Sequence, residues 1–227
     1  CMGFELVETR PPEELASRVA SRAVKRLAAR HAPGGRMPVV IASQAGGTMI
    51  HEAIGHGLEA DAAIEGLSVY AGRQGTAIAS PLISGFDDAT LPNHRGSFTF
   101  DDEGTPAQKT LAVENGVLKS FLYDLLRGKK SGAPSTGNAR RQSYRFQPIC
   151  RMTNTYIAPG SDDPEQILRD TWSGLYVVRM GGGQVNTVNG DFVFEVSEGY
   201  LIESGTVGEA VRGATLTGNG PEVLRTV

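Results

Sequence analysis

The sequence is poor in cysteine and in long apolar stretches. Its 227 residues include two cysteines, Cys1 and Cys150, which are too few for the disulfide framework of a small secreted domain. This scarcity favours a reducing, cytoplasmic environment. No segment approaches the run of about 18 apolar residues that a membrane-spanning helix needs, and no signal peptide is recognisable. The start at Cys1 and the end at Val227 lead us to expect a fragment of a longer protein.

The sequence also lacks a strong excess of charge of either sign. The formal net charge is -3 and the isoelectric point is about 5.9. A chain balanced in this way is not expected to bind nucleic acid directly or to dock on a membrane. Glycine, in contrast, is abundant: 29 residues are scattered among apolar segments, which indicates many tight turns between strands of a globular domain.

Three segments have the pattern of a helix. Residues 11–30 repeat apolar residues every four positions and form one apolar stripe. Residues 49–54 predict a second helix, with Thr48 as its N-cap. A third is predicted to begin at Pro164, with Asp163 as its cap, and to end at Gly174. Its predicted buried face consists of Ile167, Leu168 and Trp172.

The rest of the chain has the pattern of strands joined by turns. Asn115-Gly116 and Ser204-Gly205 lie between apolar runs and predict two β-hairpins. Residues 175–180 predict a strand that ends at the glycines 181–183, and residues 191–197 alternate apolar and polar side chains as a half-buried strand does. Together these elements predict an α+β fold with a largely antiparallel sheet and a few helices.

One short stretch contains the residue types of a metal site. His51 and Glu52 are followed by His56, and neutral imidazoles with an adjacent carboxylate suit zinc and a water-activating base. The two histidines are five residues apart, so a regular α-helix would turn them about 140° away from each other. A shared metal therefore requires either a wide π-turn or a helix that ends before His56. Gly55 and Gly57 flank His56 and are expected to relieve its backbone.

The alternative is that His51 and His56 are ordinary histidines with no ligand. The two acidic residues that follow, Glu59 and Asp61, are likewise compatible with two roles, either orienting a histidine or facing water. Sequence pattern by itself leaves both questions open.

The motif resembles the H-E-x-x-x-H motif of the TldD/PmbA family, whose members are also called modulators of DNA gyrase. Further segments are similar to that family, in the same order, over nearly the whole chain. They are Phe100-Asp-Asp-Glu-Gly104, Ser135-Thr-Gly-Asn138 with Arg140-Arg141, Arg151-Met-Thr-Asn-Thr-Tyr156, Gly181-Gly-Gly-Gln184, Gly190-Asp-Phe-Val193 and Gly218-Asn-Gly-Pro221.

The resemblance implies the C-terminal, metal-bearing portion of a TldD-type subunit. It divides the chain into a helical connecting segment, residues 1–34, and a metalloprotease-like domain, residues 35–227. It implies a zinc ion bound by His51 and His56, with Glu52 as the general base of a peptidase that cleaves small or unfolded peptides. The implied partner is a PmbA/TldE-type subunit, and a homo-oligomer is the alternative.

One ligand expected from the resemblance is missing. The family's third ligand is a cysteine that would lie beyond Val227. Cys150 is not at that position and is expected to be a structural thiol. Two other functions therefore stay open: an inactive peptide-binding or scaffold subunit of a TldD/PmbA-type complex, and a metal-dependent hydrolase of another class, such as an amidase.

Overall fold

The computed structural model describes residues 3–227, so Cys1 lies outside the described residues. Within that range the chain forms seven α-helices and one 3-10 helix. The α-helices are α1 Glu5–Thr9, α2 Pro12–Ala28, α3 Ser43–Ala53, α4 Ala60–Ile64, α5 Leu125–Ser131, α6 Pro164–Asp170 and α7 Gly220–Arg225; the 3-10 helix is Gly55–Leu58. None of the helices between residues 3 and 227 is both long enough and apolar enough to cross a membrane.

Twelve strands accompany these helices in the same range. They are β1 Arg30–His31, β2 Val39–Ile41, β3 Gly85–Asp88, β4 Lys109–Glu114, β5 Val117–Leu118, β6 Ala139–Arg140, β7 Ile149–Cys150, β8 Thr155–Ile157, β9 Ser173–Val185, β10 Asp191–Glu203, β11 Thr206–Arg212 and β12 Thr215–Asn219. The predicted α+β fold is confirmed.

The chain divides into two compact units, and the boundary at Thr48 and Met49 falls inside α3. The first unit comprises the described residues up to Thr48 together with residues 161–183 and 193–216, and the second comprises residues 49–160, 184–192 and 217–227. The division at residue 34 that the family resemblance implies stays a prediction.

A six-stranded sheet, most of whose residues belong to the first unit, has the order β1-β11-β10-β9-β2, and β12 also pairs with β10. β1 pairs with β11 and β2 with β9 in parallel, whereas β10 and β11 are antiparallel. Side chains of these strands form the core together with an alanine of α3 and with Ala214, which lies between β11 and β12. This core contains Ala45, Leu175, Val177, Val196, Leu201, Val211 and Ala214.

The second unit carries a four-stranded antiparallel sheet with the order β5-β4-β3-β8 and a two-stranded sheet of β6 and β7. Its most deeply buried side chains include Leu58, Tyr70, Ile78, Ile83, Val113, Leu118, Leu122 and Leu224. The residues of the histidine motif belong to this unit, so the site rests on its core.

Both predicted hairpins are confirmed. Glu114 pairs with Val117 around Asn115-Gly116, and Glu203 pairs with Thr206 around Ser204-Gly205. All four turn residues have positive φ angles between 47° and 79°. Two successive positive φ angles match the twist of the strands on either side, which explains why Asn and Ser are each followed by glycine.

The helix that carries His51 and Glu52 begins earlier than predicted. α3 starts at Ser43 rather than after Thr48, and Gly46 already donates a helical hydrogen bond to the Ala42 carbonyl at 2.8 Å. Two glycines cost such a helix roughly 1 kcal/mol each. The burial of Ala45, which is 1% exposed, stabilises this part of the helix and offsets the cost of the two glycines.

The glycines 181–183 are predicted to end their strand, but β9 continues through them to Val185. The ring of Phe194 fills the space that a Cβ on Gly183 would need. The glycine therefore lets the neighbouring strand place an aromatic side chain against the backbone.

The predicted course of the third helix is also wrong. α6 begins at Pro164 after the Asp163 cap, as expected, but it ends at Asp170. Two of its three predicted buried residues are exposed, Ile167 by 44% and Trp172 by 74%, and Leu168 is half-buried. Trp172 lies in the connection to β9. Gly174 is part of that strand, where the Pro38 carbonyl occupies the position of a side chain.

Candidate metal centre

The helix that carries His51 and Glu52 ends before His56. α3 stops at Ala53, and His56 lies in the 3-10 helix Gly55–Leu58. Of the two geometries that the spacing permits, the structure has the early end and not the π-turn. The backbone leaves the regular helical path at Ile54, so the angle of about 140° that an unbroken α-helix would impose between the two histidines no longer applies.

Two side chains hold this helix end in place. The Tyr70 hydroxyl donates a hydrogen bond to the carbonyl of Ala53 at 2.9 Å, and the Ser68 hydroxyl donates to the carbonyl of Gly57 at 2.6 Å. Both carbonyls belong to the orphan acceptors that a helix end leaves unpaired. The short segment from Ser68 to Tyr70 thus caps the helix end from outside.

The glycines beside His56 are explained by packing rather than by backbone conformation. Neither Gly55 nor Gly57 has a positive φ angle, so the expected relief of the backbone is wrong. A Cβ on Gly55 would collide with the Met152 sulfur, and a Cβ on Gly57 would lie 2.7 Å from the ring of Tyr70. The histidine turn therefore packs against its neighbours through bare backbone.

The structure brings the three predicted site residues together. Ligand atoms of His51, Glu52 and His56 all lie within 4.8 Å of one another. The two imidazole rings meet edge to face, with centroids 4.7 Å apart at 83°. His56 Nε2 lies 3.8 Å from Glu52 Oε2. Two imidazole nitrogens beside a carboxylate are the donor set that zinc accepts, so these residues fit the metal.

A second layer of charged residues lies behind His56. The Nδ1 atom of His56 is 3.2 Å from Oε2 of Glu59, whose residue is only 4% exposed. The same oxygen accepts a hydrogen bond from the Arg151 guanidinium at 3.2 Å, and Arg151 is 3.7 Å from the Asp61 carboxylate. Of the two acidic residues left open by the sequence, Glu59 contacts the histidine and Asp61 contacts the arginine.

The two histidines differ in their electrostatic environment. Burial lowers the pKa of His51, and the neighbouring His56 lowers it further. The hydrogen bond to Glu59 raises the pKa of His56 despite an opposing effect of burial. Burial also raises the pKa of Asp61. The proton is therefore held more tightly on His56 than on His51.

A buried carboxylate near His51 was not singled out from the sequence. Asp87 is 2% exposed, and its oxygens accept four hydrogen bonds of 2.7–2.9 Å. The donors are the side-chain amide of Asn138, the backbone amide and hydroxyl of Thr153, and the hydroxyl of Thr155. The negative charge of Asp87 favours protonation of His51. These partners lie in segments 135–138 and 151–156, which resemble the family. That resemblance was the only sequence signal that pointed to the surroundings of Asp87.

Cys150 is not part of the histidine cluster. Its side chain is fully buried, and its sulfur accepts a hydrogen bond from the Asp124 amide at 3.3 Å. Burial raises the pKa of the Cys150 thiol to about 12. Its environment is that of a neutral structural thiol, since a zinc ligand would have to be a thiolate.

The two remaining histidines also lie apart from the cluster. His31 is exposed in β1, and His94 is exposed with its Nδ1 atom 2.9 Å from the Pro92 carbonyl oxygen. Across residues 3–227, His51, Glu52 and His56 form the single group of three or more such side chains close enough to share a metal ion.

The cluster of His51, Glu52 and His56 makes this α+β domain a candidate metal-binding protein. Comparison with protein families narrows this description: residues 34–227 match the model described as PmbA/TldA metallopeptidase C-terminal domain. The chain therefore belongs to the PmbA/TldD metallopeptidase family.

Named relatives agree with this assignment. The chain is 43% identical over 205 residues to the metalloprotease TldD homolog of Buchnera aphidicola, covering 90% of this chain and 42% of the relative. It is 41% identical over 225 residues to the TldD homolog of Haemophilus influenzae, covering 99% and 47%. A relative from Saccharolobus solfataricus, 33% identical over 94% of this chain and 48% of its own length, is named zinc metalloprotease TldD homolog. The chain thus spans about half the length of the curated relatives it matches.

Solved structures show the same fold. A modulator of a DNA gyrase from Thermotoga maritima superposes with a TM-score of 0.83 at 28% identity, covering 97% of this chain and 50% of the other. TldE from Thermococcus kodakarensis gives 0.79 at 25% identity, with coverages of 94% and 48%.

Proposed function

We propose that this chain is the metal-bearing portion of a zinc-dependent peptidase that acts on small or unfolded peptides. The observation that carries the proposal is the cluster of His51, Glu52 and His56, with ligand atoms within 4.8 Å of one another. The metalloprotease names of the relatives support the reaction class, and one of those names includes zinc.

In this proposal His51 and His56 bind the zinc ion and Glu52 is the general base. When bound, zinc would lower the pKa of a water molecule and polarise the carbonyl of the scissile peptide bond. The Glu52 carboxylate would take the proton of the attacking water and pass it to the departing amine. Glu52 follows His51 on the same helix, and its Oε2 lies 3.8 Å from His56 Nε2. The carboxylate therefore faces the space in which the zinc ion and the attacking water would lie.

We further propose a cytoplasmic assembly with a PmbA/TldE-type subunit, with a homo-oligomer as the alternative. The likeness to the TldE structure supports a shared fold for the two kinds of subunit. In this proposal the third ligand is a cysteine beyond Val227, as the family resemblance implies. A site reduced to two histidines is expected to hold zinc weakly.

The zinc content of purified protein tests the metal part of this proposal. We expect about one zinc per chain in a form extended beyond Val227, and weaker, reversible binding by the 227-residue chain. His51→Ala is expected to lose the metal, whereas the exposed His94→Ala serves as the matched control and is expected to keep it. Equal zinc retention by both variants would contradict the assignment of His51.

A second candidate function is a peptide-binding or scaffold subunit without activity. It is favoured by one observation: if Glu52 is the base, the cluster supplies only two ligands from residues 3–227. This candidate would be supported if a form extended beyond Val227 bound peptides but neither bound zinc nor cleaved the peptides. A panel of peptide and simple amide substrates would separate a peptidase from another metal-dependent hydrolase.

A further inference from the structure

His56 is held from its Nδ1 side by a carboxylate to which the proposed reaction assigns no role. Glu59 Oε2 lies 3.2 Å from that nitrogen, and the side chain is 6% exposed. Glu59 lies just beyond the 3-10 helix, and the amide of the next residue, Ala60, donates to the Leu122 carbonyl at 3.0 Å. The backbone therefore fixes the carboxylate beneath the imidazole.

This arrangement is costly for the folded protein. Removing a carboxylate from water is offset only where its oxygens are well paired. The Oε1 atom of Glu59 is buried and has no hydrogen-bond partner within residues 3–227. Because an apolar side chain would avoid that cost, stability does not account for a glutamate here, and a role at the neighbouring histidine does.

We propose that Glu59 is a positioning residue for the metal ligand His56, and that Arg151 holds Glu59 in place. The inference rests on the proposed function. By accepting the Nδ1–H hydrogen bond, Glu59 selects the tautomer whose lone pair is on Nε2. That nitrogen faces Glu52, at 3.8 Å, and is therefore the one turned toward the cluster.

Arg151 is itself fixed from several directions. Its guanidinium donates to Glu59 Oε2 at 3.2 Å and to the Cys150 carbonyl at 2.7 Å, and it lies 3.7 Å from Asp61. The backbone contact keeps the positive charge beside Glu59, where it offsets part of the desolvation of the carboxylate. Arg151 therefore holds the Glu59 carboxylate in place, and Glu59 in turn holds the imidazole of His56.

Zinc affinity of the 227-residue chain, measured by competition with a chromophoric chelator, tests the proposal. Glu59→Ala is expected to weaken zinc binding roughly 10- to 100-fold, the usual loss when such a partner of a metal-binding histidine is removed. Glu114→Ala is the matched control, because Glu114 is an exposed glutamate of the same unit that pairs with Lys119 at 3.1 Å; we expect no change.

Two conservative variants separate positioning from folding if Glu59→Ala does not fold. Glu59→Gln keeps the reach and an oxygen that accepts from Nδ1–H, whereas Glu59→Asp keeps the charge and withdraws it by one methylene. Positioning predicts that the aspartate variant binds zinc more weakly than the glutamine variant. The reverse order would show that charge alone matters and would overturn the proposal.

Nitrogen-15 NMR of the metal-free chain at alkaline pH provides a readout that needs neither zinc nor activity. We expect His56 to carry its proton on Nδ1 in the wild type and in Glu59→Gln, and to become a mixture of tautomers in Glu59→Ala. An unchanged tautomer with unchanged zinc affinity would overturn the proposal. If neither the 227-residue chain nor the form extended beyond Val227 binds zinc, the proposed function fails, while the NMR result still decides whether Glu59 sets the tautomer.

Discussion

The backbone of Gly57 lies directly against the ring of Tyr70, at a distance that leaves no room for a side chain. A Cβ added to Gly57 would stand 2.7 Å from one ring carbon and 2.9 Å from the next. Tyr70 is fully buried, so its ring cannot move aside into solvent. The turn that carries His56 and the tyrosine that caps the preceding helix are therefore fitted to each other.

Gly57→Ala is predicted to destabilise the protein by about 1–3 kcal/mol, the usual cost of overpacking a filled core. Chemical denaturation followed by circular dichroism measures this loss. Gly47→Ala is the matched control: Gly47 lies within α3 with nothing within 4 Å of a Cβ, so alanine is expected to stabilise the helix by about 0.5–1 kcal/mol. Equal effects of the two substitutions would contradict the packing at Gly57.

The two site histidines are predicted to titrate separately in the metal-free protein. His56 has a raised pKa because Glu59 accepts its hydrogen bond, and His51 has a lowered pKa because it is buried. As pH rises, His51 should lose its proton first and His56 second, on either side of the ordinary value of about 6.5. NMR titration of the ring protons measures both. The same order in Glu59→Gln, with no fall of the His56 pKa, would contradict the stated cause.

Cys150 is predicted to resist thiol reagents in the folded protein. Its pKa is raised to about 12 by burial, so almost no thiolate is present at pH 8. In a Cys1→Ser background, a chromogenic disulfide reagent should label Cys150 only after unfolding in denaturant. Rapid labelling of the native protein would show that the thiol is accessible and would reopen its possible role at the metal.

Local signals in the sequence specified the hairpins and the helix that begins at Pro164. Asn115-Gly116 and Ser204-Gly205 determine their turns through backbone conformation alone, so short-range chemistry sufficed. The end of that helix was not predictable in the same way. Trp172 is apolar and looked like part of a buried face, but it follows the last helical residue and is 74% exposed.

The sequence singles out His51, Glu52 and His56, and the structure brings them together. The sequence does not predict the side chains that shape the turn between the two histidines. The spacing of His51 and His56 required an irregular helix, but it did not choose between a π-turn and an early end. The choice depends on Tyr70 and Met152, which are distant in sequence and pack against the flanking glycines. Arg151 is 92 positions from Glu59, so its support of the carboxylate depends on the fold and not on a local pattern.

The most direct test is the effect of Glu52→Gln on zinc content and on peptide cleavage, measured together in the form extended beyond Val227. If Glu52 is the general base, the variant should keep its zinc and lose cleavage by roughly 100- to 10,000-fold, as expected when a general base is removed. The neutral amide has nearly the same shape, so the fold should be unaffected. Cleavage at the wild-type rate with zinc retained would contradict the proposed role of Glu52.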